Sequence, residues 1–281
     1  MKKIGFVDYY ISEWHANNYP AWIKETCEKF ALDYEIAYAW AELDVSPKFN
    51  NETTDQWCER MGVTKCETID ELCEKSDVIL VLAPSDPDKH LGYAKEVLKH
   101  KKLTYIDKTF APDYATAKEI FDIAEKYGTR FFSTSALRYA TELDELDGCK
   151  EMMTTGSGSN YPEYIIHQIE MIVKKLGKGA NRVRFEEVGG CSIFRIGFDD
   201  GRAASMTYAP GKLPFSAYMD NGEARAWKKI ESDYFKILIH EILKFYETGV
   251  LPFDVSETLE IAKIREKALV ASNTPDTWIE I

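Results

Sequence analysis

Two side chains with the spacing for acid–base chemistry lie in the segment YPEYIIHQIEMIV, residues 161–173. Its apolar residues recur at helical spacing, so Glu163 and His167 would lie on one face of a helix. An imidazole held by a carboxylate can accept a proton from a hydroxyl group near neutral pH, which makes His167 a candidate base. The competing interpretation is a solvated helix face with a salt-bridging pair, which is common at this spacing.

A candidate cation for the same chemistry is Lys108, which directly follows the strand-like run LTYID. Ligands of open α/β sheets bind beside the carboxyl ends of the strands, so a lysine in this place is expected to face a polar ligand. Its ammonium group would hold a substrate oxygen and lower the pKa of the hydroxyl. Otherwise Lys108 is an ordinary surface lysine.

The elements that must position these residues begin with an alternating pattern. In the first half of the chain, apolar runs rich in β-branched residues alternate with amphipathic stretches, which predicts a parallel sheet covered by helices. The predicted strands are KKIGFVDYY, YEIAYAWAE, DVILVLA, LTYIDKT and TRFFSTS. Together they predict a Rossmann-type domain over residues 1–134, with right-handed crossovers.

Caps and prolines predict where several helices begin. We expect a helix from Pro20 to Phe30 with the proline in its first turn, and a short helix in which Thr68 and Glu71 form a capping box. The polar stretch SPKFNNETTDQ, residues 46–56, is expected to be a loop. Two long helices are expected around residues 227–247 and 256–272.

After residue 134 the pattern changes. The helix that carries His167 is followed by RVRFEEVGG, CSIFRIGFDDG and RAASMTYAPG, which are strand-like runs separated by turn residues. They predict an α+β domain over residues 135–281 with a mainly antiparallel open sheet, and the C-terminal helices could pack back on the first domain. An exposed sheet predicts a homodimer or homotetramer.

Composition and charge exclude several classes of protein. A formal net charge of −12 over 281 residues argues against a nucleic-acid partner, which would require a basic surface. No window approaches the roughly 20 apolar residues of a membrane span. The six cysteines are scattered without a CxxC pair, which indicates free thiols and a cytoplasmic protein. The acidic run TELDELDG lacks His or Asn partners, so no metal site is expected.

The stretch DVILVLAPSDPDKHLGYAKEVLKHKKLTYIDKTFAPDYATAKEIFDIAEKYG resembles the Gfo/Idh/MocA family of glucose-fructose oxidoreductases and inositol dehydrogenases. In that family one strand ends in a small residue and Pro, a His follows, and the next strand ends in Glu-Lys-Pro. Here these places hold Ala83-Pro84, His90 and Asp107-Lys108-Thr109. The segment FYETGVLPFDVSETLEIAKIREKALVASN resembles the family's closing helix pair, so the resemblance covers nearly the whole chain.

The resemblance implies an oxidoreductase that transfers hydride between NAD or NADP and a small polar substrate such as a sugar, cyclitol or related polyol. It assigns Lys108, His167 and Glu163 to catalysis, with Glu163 where the family usually has Asp. Arg138 and Tyr139 stand where the family often has Arg-Arg-Phe, which implies substrate binding, with a structural salt bridge as the alternative for Arg138. The positions implied for the cofactor are Asp8, Tyr9, Tyr10, Ser12, Trp40, Ala83, Pro84, Ser85, His90 and Asp107. His90 also has a structural interpretation, as a helix-start residue that fixes the loop from Ala83 to Asp88.

One stretch of the sequence lacks the residues expected at a dinucleotide-binding site. IGFVDYYISEWH, residues 4–15, lies where a phosphate loop would lie, but its turn has Asp8, Tyr9 and Tyr10 instead of glycines. A carboxylate within about 4 Å of a phosphate charge costs roughly 4 kcal/mol at an effective dielectric constant of 20. Trp40 also replaces the acid expected to hold the adenosine ribose. The second hypothesis is therefore a family member that has lost normal dinucleotide binding and acts as a non-redox ligand-binding or regulatory protein.

Overall fold

The structure is a computed structural model that describes residues 1–48, 51–211 and 213–281. It divides into two compact units. The first contains residues 1–134 and 236–255, and the second contains residues 135–235 and 256–281. Part of the C-terminal half therefore belongs to the first unit. Residues 49 and 50 of the loop predicted over 46–56 lie outside the described residues.

The first unit is built on a parallel six-stranded sheet, sheet A, with strand order β3-β2-β1-β4-β5-β6. Its strands are β1 (Lys2–Tyr10), β2 (Tyr34–Leu43), β3 (Thr64–Lys65), β4 (Val78–Val81), β5 (Thr104–Ile106) and β6 (Phe131–Phe132). Because β1 pairs with both β2 and β4, the order reverses at β1, and ligands of such sheets bind at the carboxyl edge of this switch point. The predicted Rossmann-type sheet is confirmed.

In the described residues, five α-helices lie between these strands. They are α1 (Trp14–Phe30), α2 (Thr54–Met61), α3 (Ile69–Lys75), α4 (His90–Val97) and α5 (Tyr114–Tyr127). The predicted start of α1 is wrong, because the helix begins at Trp14 and Pro20 lies inside it. The Glu13 side chain caps the helix at the earlier start.

The capping box predicted for α3 forms only in part. Thr68 Oγ1 accepts a hydrogen bond from the Glu71 backbone at 3.1 Å, as predicted. The Glu71 carboxylate, however, accepts from the backbone of Glu67 at 2.8 Å instead of from Thr68. The cap residue is therefore correct, and the reciprocal bond shifts by one residue.

The second unit is built on a seven-stranded sheet, sheet B, with strand order β12-β11-β7-β10-β9-β8-β13. Its strands are β7 (Glu151–Gly156), β8 (Ala180–Val188), β9 (Cys191–Phe198), β10 (Ala203–Tyr208), β11 (Ser216–Asp220), β12 (Arg225–Lys229) and β13 (Trp278–Glu280). The pair β7–β10 is parallel, whereas the other recorded pairs are antiparallel. The predicted mainly antiparallel sheet, including its three strand-like runs, is confirmed.

The other α-helices of the described residues are α6 (Tyr161–Leu176), α7 (Tyr234–Thr248) and α8 (Ser256–Ala271). The apolar stripe of α6 is fully buried and packs with α8 residues such as Ile264 in the core of the second unit. The helix predicted from residue 227 begins only at Tyr234, because residues 225–229 form β12. Among the described residues, no helix has the length and apolarity to cross a membrane.

Candidate functional site

The carboxyl edge of sheet A brings together residues from three strands that are far apart in the sequence. Asp8 lies near the end of β1, Ala83 follows β4, and Asp107 follows β5. Asp8 Oδ1 accepts hydrogen bonds from the backbone N–H groups of Tyr9 at 2.7 Å and Ala83 at 3.0 Å. Asp8 Oδ2 is buried and has no hydrogen-bond partner among the described residues. Burial, reinforced by the charge of Glu13, raises the pKa of Asp8 well above its usual range, which favours the neutral acid.

The side chain of Glu13, the residue just before α1, caps the N-terminus of that helix. The Glu13 carboxylate accepts hydrogen bonds from the backbone N–H of His15 at 2.8 Å and from that of Ala16. Burial raises the pKa of Glu13, while His15 and the two N–H groups oppose the rise. The hydrogen bonds from the His15 and Ala16 backbone N–H groups and the neighbouring His15 side chain favour the charged form of Glu13.

These residues do not fit a dinucleotide in the usual place. A pyrophosphate in this fold is held by the N–H groups at the start of the first helix, and glycines let the backbone approach it. Here the N–H groups of His15 and Ala16 already bind Glu13, and Asp8 stands at the first glycine position. The disagreement noted in the sequence is therefore also a disagreement of geometry.

A buried pair, His15 and Asp107, lies next to this cap. Nδ1 of His15 bonds Oδ2 of Asp107, and the His15 ring stacks on Tyr19 at a centroid distance of 5.1 Å. Tyr105 donates a hydrogen bond to Asp107 Oδ1 at 3.2 Å. Burial by itself would raise the pKa of Asp107, but His15 and then Lys108 outweigh burial and hold the pKa below its ordinary value. Asp107 is therefore a buried carboxylate with an imidazole partner.

Sequence reasoning missed His15 as a site residue. His15 lies in the first turn of α1 and Asp107 directly after β5. Both positions could have been assigned to the carboxyl edge of a Rossmann-type sheet, since the first helix starts there and the strands end there. The sequence gives no sign that the two side chains meet.

Lys108 is held at this edge through its backbone and through its side chain. Its N–H donates to Asp107 Oδ1 at 2.8 Å, and its Nζ donates to the backbone oxygen of Pro84 at 3.4 Å. The side chain is half-buried. This position matches the expected edge of the sheet, and its contact with a ligand stays a prediction.

The structure favours the structural interpretation of His90. The residue is fully buried at the start of α4, with Nδ1 3.0 Å from the Phe110 carbonyl oxygen and Nε2 against the carbonyl oxygen of Leu82. Burial lowers the pKa of His90, and the two carbonyl groups oppose that effect. With both ring nitrogens in contact with backbone oxygens, His90 ties the end of β4 to the segment after β5.

The remaining predicted cofactor residues have varied surroundings. Tyr10 is buried, and the Tyr9 ring lies 4.3 Å from the ammonium group of Lys89. Ser12 Oγ donates to a carboxylate oxygen of Glu52 at 2.5 Å.

Trp40 packs edge to face against Tyr93 and lines a cavity of about 470 Å³ near the end of β2. Ser85 is exposed in the loop after β4.

In the second unit, His167 has a partner that the sequence did not predict. Its Nδ1 lies 2.6 Å from the hydroxyl oxygen of Ser135. Glu163 is hydrogen-bonded at 3.3 Å by the side chains of Ser159 and Asn160, at the start of α6. Asn160 is the N-cap residue of that helix. Glu163 and His167 both lie on α6 as predicted, and the imidazole of His167 is hydrogen-bonded to Ser135.

Arg138 lies in a buried ion-pair network. Its guanidinium donates to Glu170 at 2.8 Å and to Glu257. Burial would lower the pKa of Arg138, but the two carboxylates outweigh it and raise the pKa. These contacts favour the salt-bridge alternative over substrate binding. Tyr139 is half-buried in the same short 3-10 turn, Ala136–Tyr139.

Part of the chain matches a known protein family. Residues 41–135 match the GFO_IDH_MocA model, described as "Oxidoreductase family, NAD-binding Rossmann fold". Over 60 residues the chain is 38% identical to the "Uncharacterized oxidoreductase YhhX" of Escherichia coli (strain K12). That alignment covers 21% of this chain and only 17% of the relative.

Solved structures share the fold over the whole chain. GenD2 from gentamicin A biosynthesis, solved in complex with NAD, is 12% identical with a TM-score of 0.78, and the match covers 100% of this chain and 97% of that one. The apo scyllo-inositol dehydrogenase from Lactobacillus casei is 10% identical with a TM-score of 0.76, covering 99% and 98%. At these identities the likeness establishes the fold.

Proposed function

We propose that the chain, whose residues 41–135 match the Gfo/Idh/MocA oxidoreductase model, transfers hydride between NAD or NADP and a CH–OH group of a sugar, cyclitol or related polyol. The observation that carries this proposal is the position of Lys108. It follows β5 at the carboxyl edge of sheet A, where the family has its lysine, and a buried carboxylate holds its backbone. The inositol dehydrogenase among the solved structures supports the substrate class.

The proposed roles follow from the chemistry of the side chains. The Lys108 ammonium would bind the reacting oxygen and stabilise its negative charge as the proton leaves. His167 would accept that proton through Nε2, provided that Nδ1–H donates to Ser135 Oγ and leaves the Nε2 lone pair available. Glu163 would bind a neighbouring substrate hydroxyl. None of these roles uses the N-terminus of α1, where the cofactor phosphates do not fit.

A second function is favoured by a specific observation. Asp8 and Glu13 bring two buried carboxyl groups to the place where a dinucleotide would put its phosphates. This arrangement suits a protein that uses the same sheet edge for an uncharged polar ligand without redox chemistry. Such a non-redox ligand-binding or regulatory protein is the alternative to the oxidoreductase.

Titration with NADH and NADPH separates the two functions. Calorimetry and fluorescence of the purified protein should show saturable binding, and NAD⁺ or NADP⁺ should support oxidation of members of a polyol panel. No binding of either cofactor at millimolar concentration would leave only the non-redox alternative. If turnover is found, Lys108→Ala should lower it at least about a hundredfold while cofactor affinity is retained. Lys118→Ala, which removes an exposed lysine of α5, is the matched control.

A further inference from the structure

We propose that Glu13 acts as a built-in substitute for a ligand phosphate, so that the turn between β1 and α1 excludes pyrophosphate groups. The first N–H groups of a helix have no partner within the helix, and the helix dipole places positive charge there. Phosphates bind to such helix N-termini for this reason. In this chain a carboxylate from the residue just before α1 makes that interaction instead.

The carboxylate is bonded in the way that a phosphate would be. One Glu13 oxygen accepts from the backbone of His15 at 2.8 Å, and the other accepts from the backbone of Ala16. The Glu13 residue is only 6% exposed, so an incoming phosphate would have to displace it into solvent. The phosphate would then accept the same two hydrogen bonds that Glu13 accepts in the free protein, so its binding would add no hydrogen bond at this helix end.

Asp8, near the end of β1, adds to the exclusion of phosphate groups from this turn. Its Oδ1 accepts from the backbone of Tyr9 at 2.7 Å and of Ala83 at 3.0 Å. Four backbone N–H groups at this edge, those of Tyr9, His15, Ala16 and Ala83, are thus bonded to two side-chain carboxyl groups. A glycine at the Asp8 position would present backbone to a ligand, whereas Asp8 presents a buried side chain.

The ligand class that this edge can take follows from its charge. The Glu13 carboxylate repels anions, and a repulsion of this kind at about 4 Å lowers affinity by orders of magnitude in a partly buried site. The N-terminus of α1 therefore selects against a phosphate or pyrophosphate group at that position and tolerates an uncharged polar group there. This inference holds for either proposed function, because it concerns only where phosphate cannot bind.

Removal of the carboxylate should open the phosphate site. Inorganic pyrophosphate is titrated into the wild-type protein, Glu13→Ala and Glu13→Gln, with the thermal unfolding of each protein measured first. Glu13→Ala frees both N–H groups and should bind pyrophosphate at least about tenfold more tightly than wild type. Glu13→Gln keeps an acceptor oxygen without the charge and should show a smaller gain. It also preserves the test if the alanine variant fails to fold.

The control is Glu71→Ala, which removes a partly exposed carboxylate from the first turn of α3 and should leave pyrophosphate affinity unchanged. A folded Glu13 variant with no gain over wild type, or a wild-type dissociation constant for pyrophosphate below roughly 100 μM, would overturn the inference. Titration of NADH into the wild-type protein tests the proposed oxidoreductase function separately. Failure of that binding, together with a gain of pyrophosphate affinity in the variants, refutes the redox function and supports the role of Glu13.

Discussion

Nδ1 of His15 is hydrogen-bonded to Oδ2 of Asp107, so the first helix of the chain is joined to the end of β5 at the carboxyl edge of sheet A. Both residues are buried. The carboxylate of Asp107 in turn accepts the backbone N–H of Lys108 at 2.8 Å. His15 therefore positions the segment that carries the proposed substrate-binding lysine.

Asp107→Asn should destabilise the protein and disturb Lys108. The change removes the charged acceptor of His15, and a hydrogen bond to a charged group contributes about 1.5–3 kcal/mol to the free energy of unfolding. We expect a loss of that size in urea denaturation, together with a rise in KM for the polyol substrate. Asp122→Asn, at an exposed aspartate of α5, is the control. A loss below about 0.5 kcal/mol would show that the pair does not stabilise this edge.

Replacement of His167 tests the proposed base. His167→Ala should lower turnover at least about a hundredfold, because a positioned general base contributes 10²–10⁴-fold. Ser135→Ala keeps the imidazole and removes the hydroxyl group that is hydrogen-bonded to it. The loss of turnover should therefore be smaller, roughly three- to tenfold. Cofactor affinity should stay the same in both variants. His100→Ala is the control, since His100 contacts the exposed Asp70. Unchanged turnover in His167→Ala would remove His167 from the mechanism.

The neutral form of Asp8 predicts a pH dependence of stability. The folded-state pKa of Asp8 is raised, mainly by burial, so the folded protein keeps a proton that the unfolded chain loses above about pH 4. Stability should therefore fall as pH rises from about 4 towards the folded-state pKa, by up to about 1.4 kcal/mol per pH unit from this group.

Asp8→Asn should remove that contribution, because its amide keeps the acceptor oxygen and cannot ionise. Unfolding by urea across pH 4–8 should show that the variant gains stability over wild type as pH rises, with the two proteins similar near pH 4. A difference that does not change with pH would mean that Asp8 is ionised in the folded protein.

Arg138 is predicted to contribute stability through its ion pairs. Arg138→Met would leave Glu170, which is 2% exposed, as a buried carboxylate without its guanidinium partner. Removal of one partner of a buried pair costs about 3–5 kcal/mol, so unfolding should occur at markedly lower urea concentration. The double variant Arg138→Met with Glu170→Gln should recover part of the loss. A stable Arg138→Met protein with a raised substrate KM would instead support the substrate-binding role.

We expect the predicted oligomer contact to lie on the exposed face of sheet B. Met153 on β7 is 52% exposed and, with Ile193, lines a groove of about 700 Å³ on this face. We expect a homodimer or homotetramer that buries this groove, because apolar sheet faces of this kind mark interaction sites. Met153→Glu should shift sedimentation towards the monomer, whereas Glu119→Gln at an exposed helix position should not. A wild-type protein that sediments as a monomer at all concentrations would contradict the prediction.

Local patterns predicted most of the elements, and their errors have local causes. Five of the six strands of sheet A are predicted, because buried parallel strands are apolar runs, whereas the two-residue β3 has no such run. The stripe of α6 is predicted because its apolar residues repeat with the helical period. The sequence predicts the start of α1 too late, because Pro20 fits a first-turn proline whereas the residue that caps the helix is an unusual one, Glu13. The start of α7 was placed too early, because β12 immediately precedes it.

The fold class, the family resemblance and the absence of glycine from the turn after β1 follow from the residues alone. The groups that replace the glycine-rich loop become visible only in the folded chain, where Glu13 binds the N-terminus of α1 and Asp8 binds the backbone of Ala83. The same is true of the His15–Asp107 pair and the Ser135–His167 contact. The physical reason is that periodicity records which face of an element is buried, whereas a contact between distant side chains depends on strand order and on the direction each side chain takes.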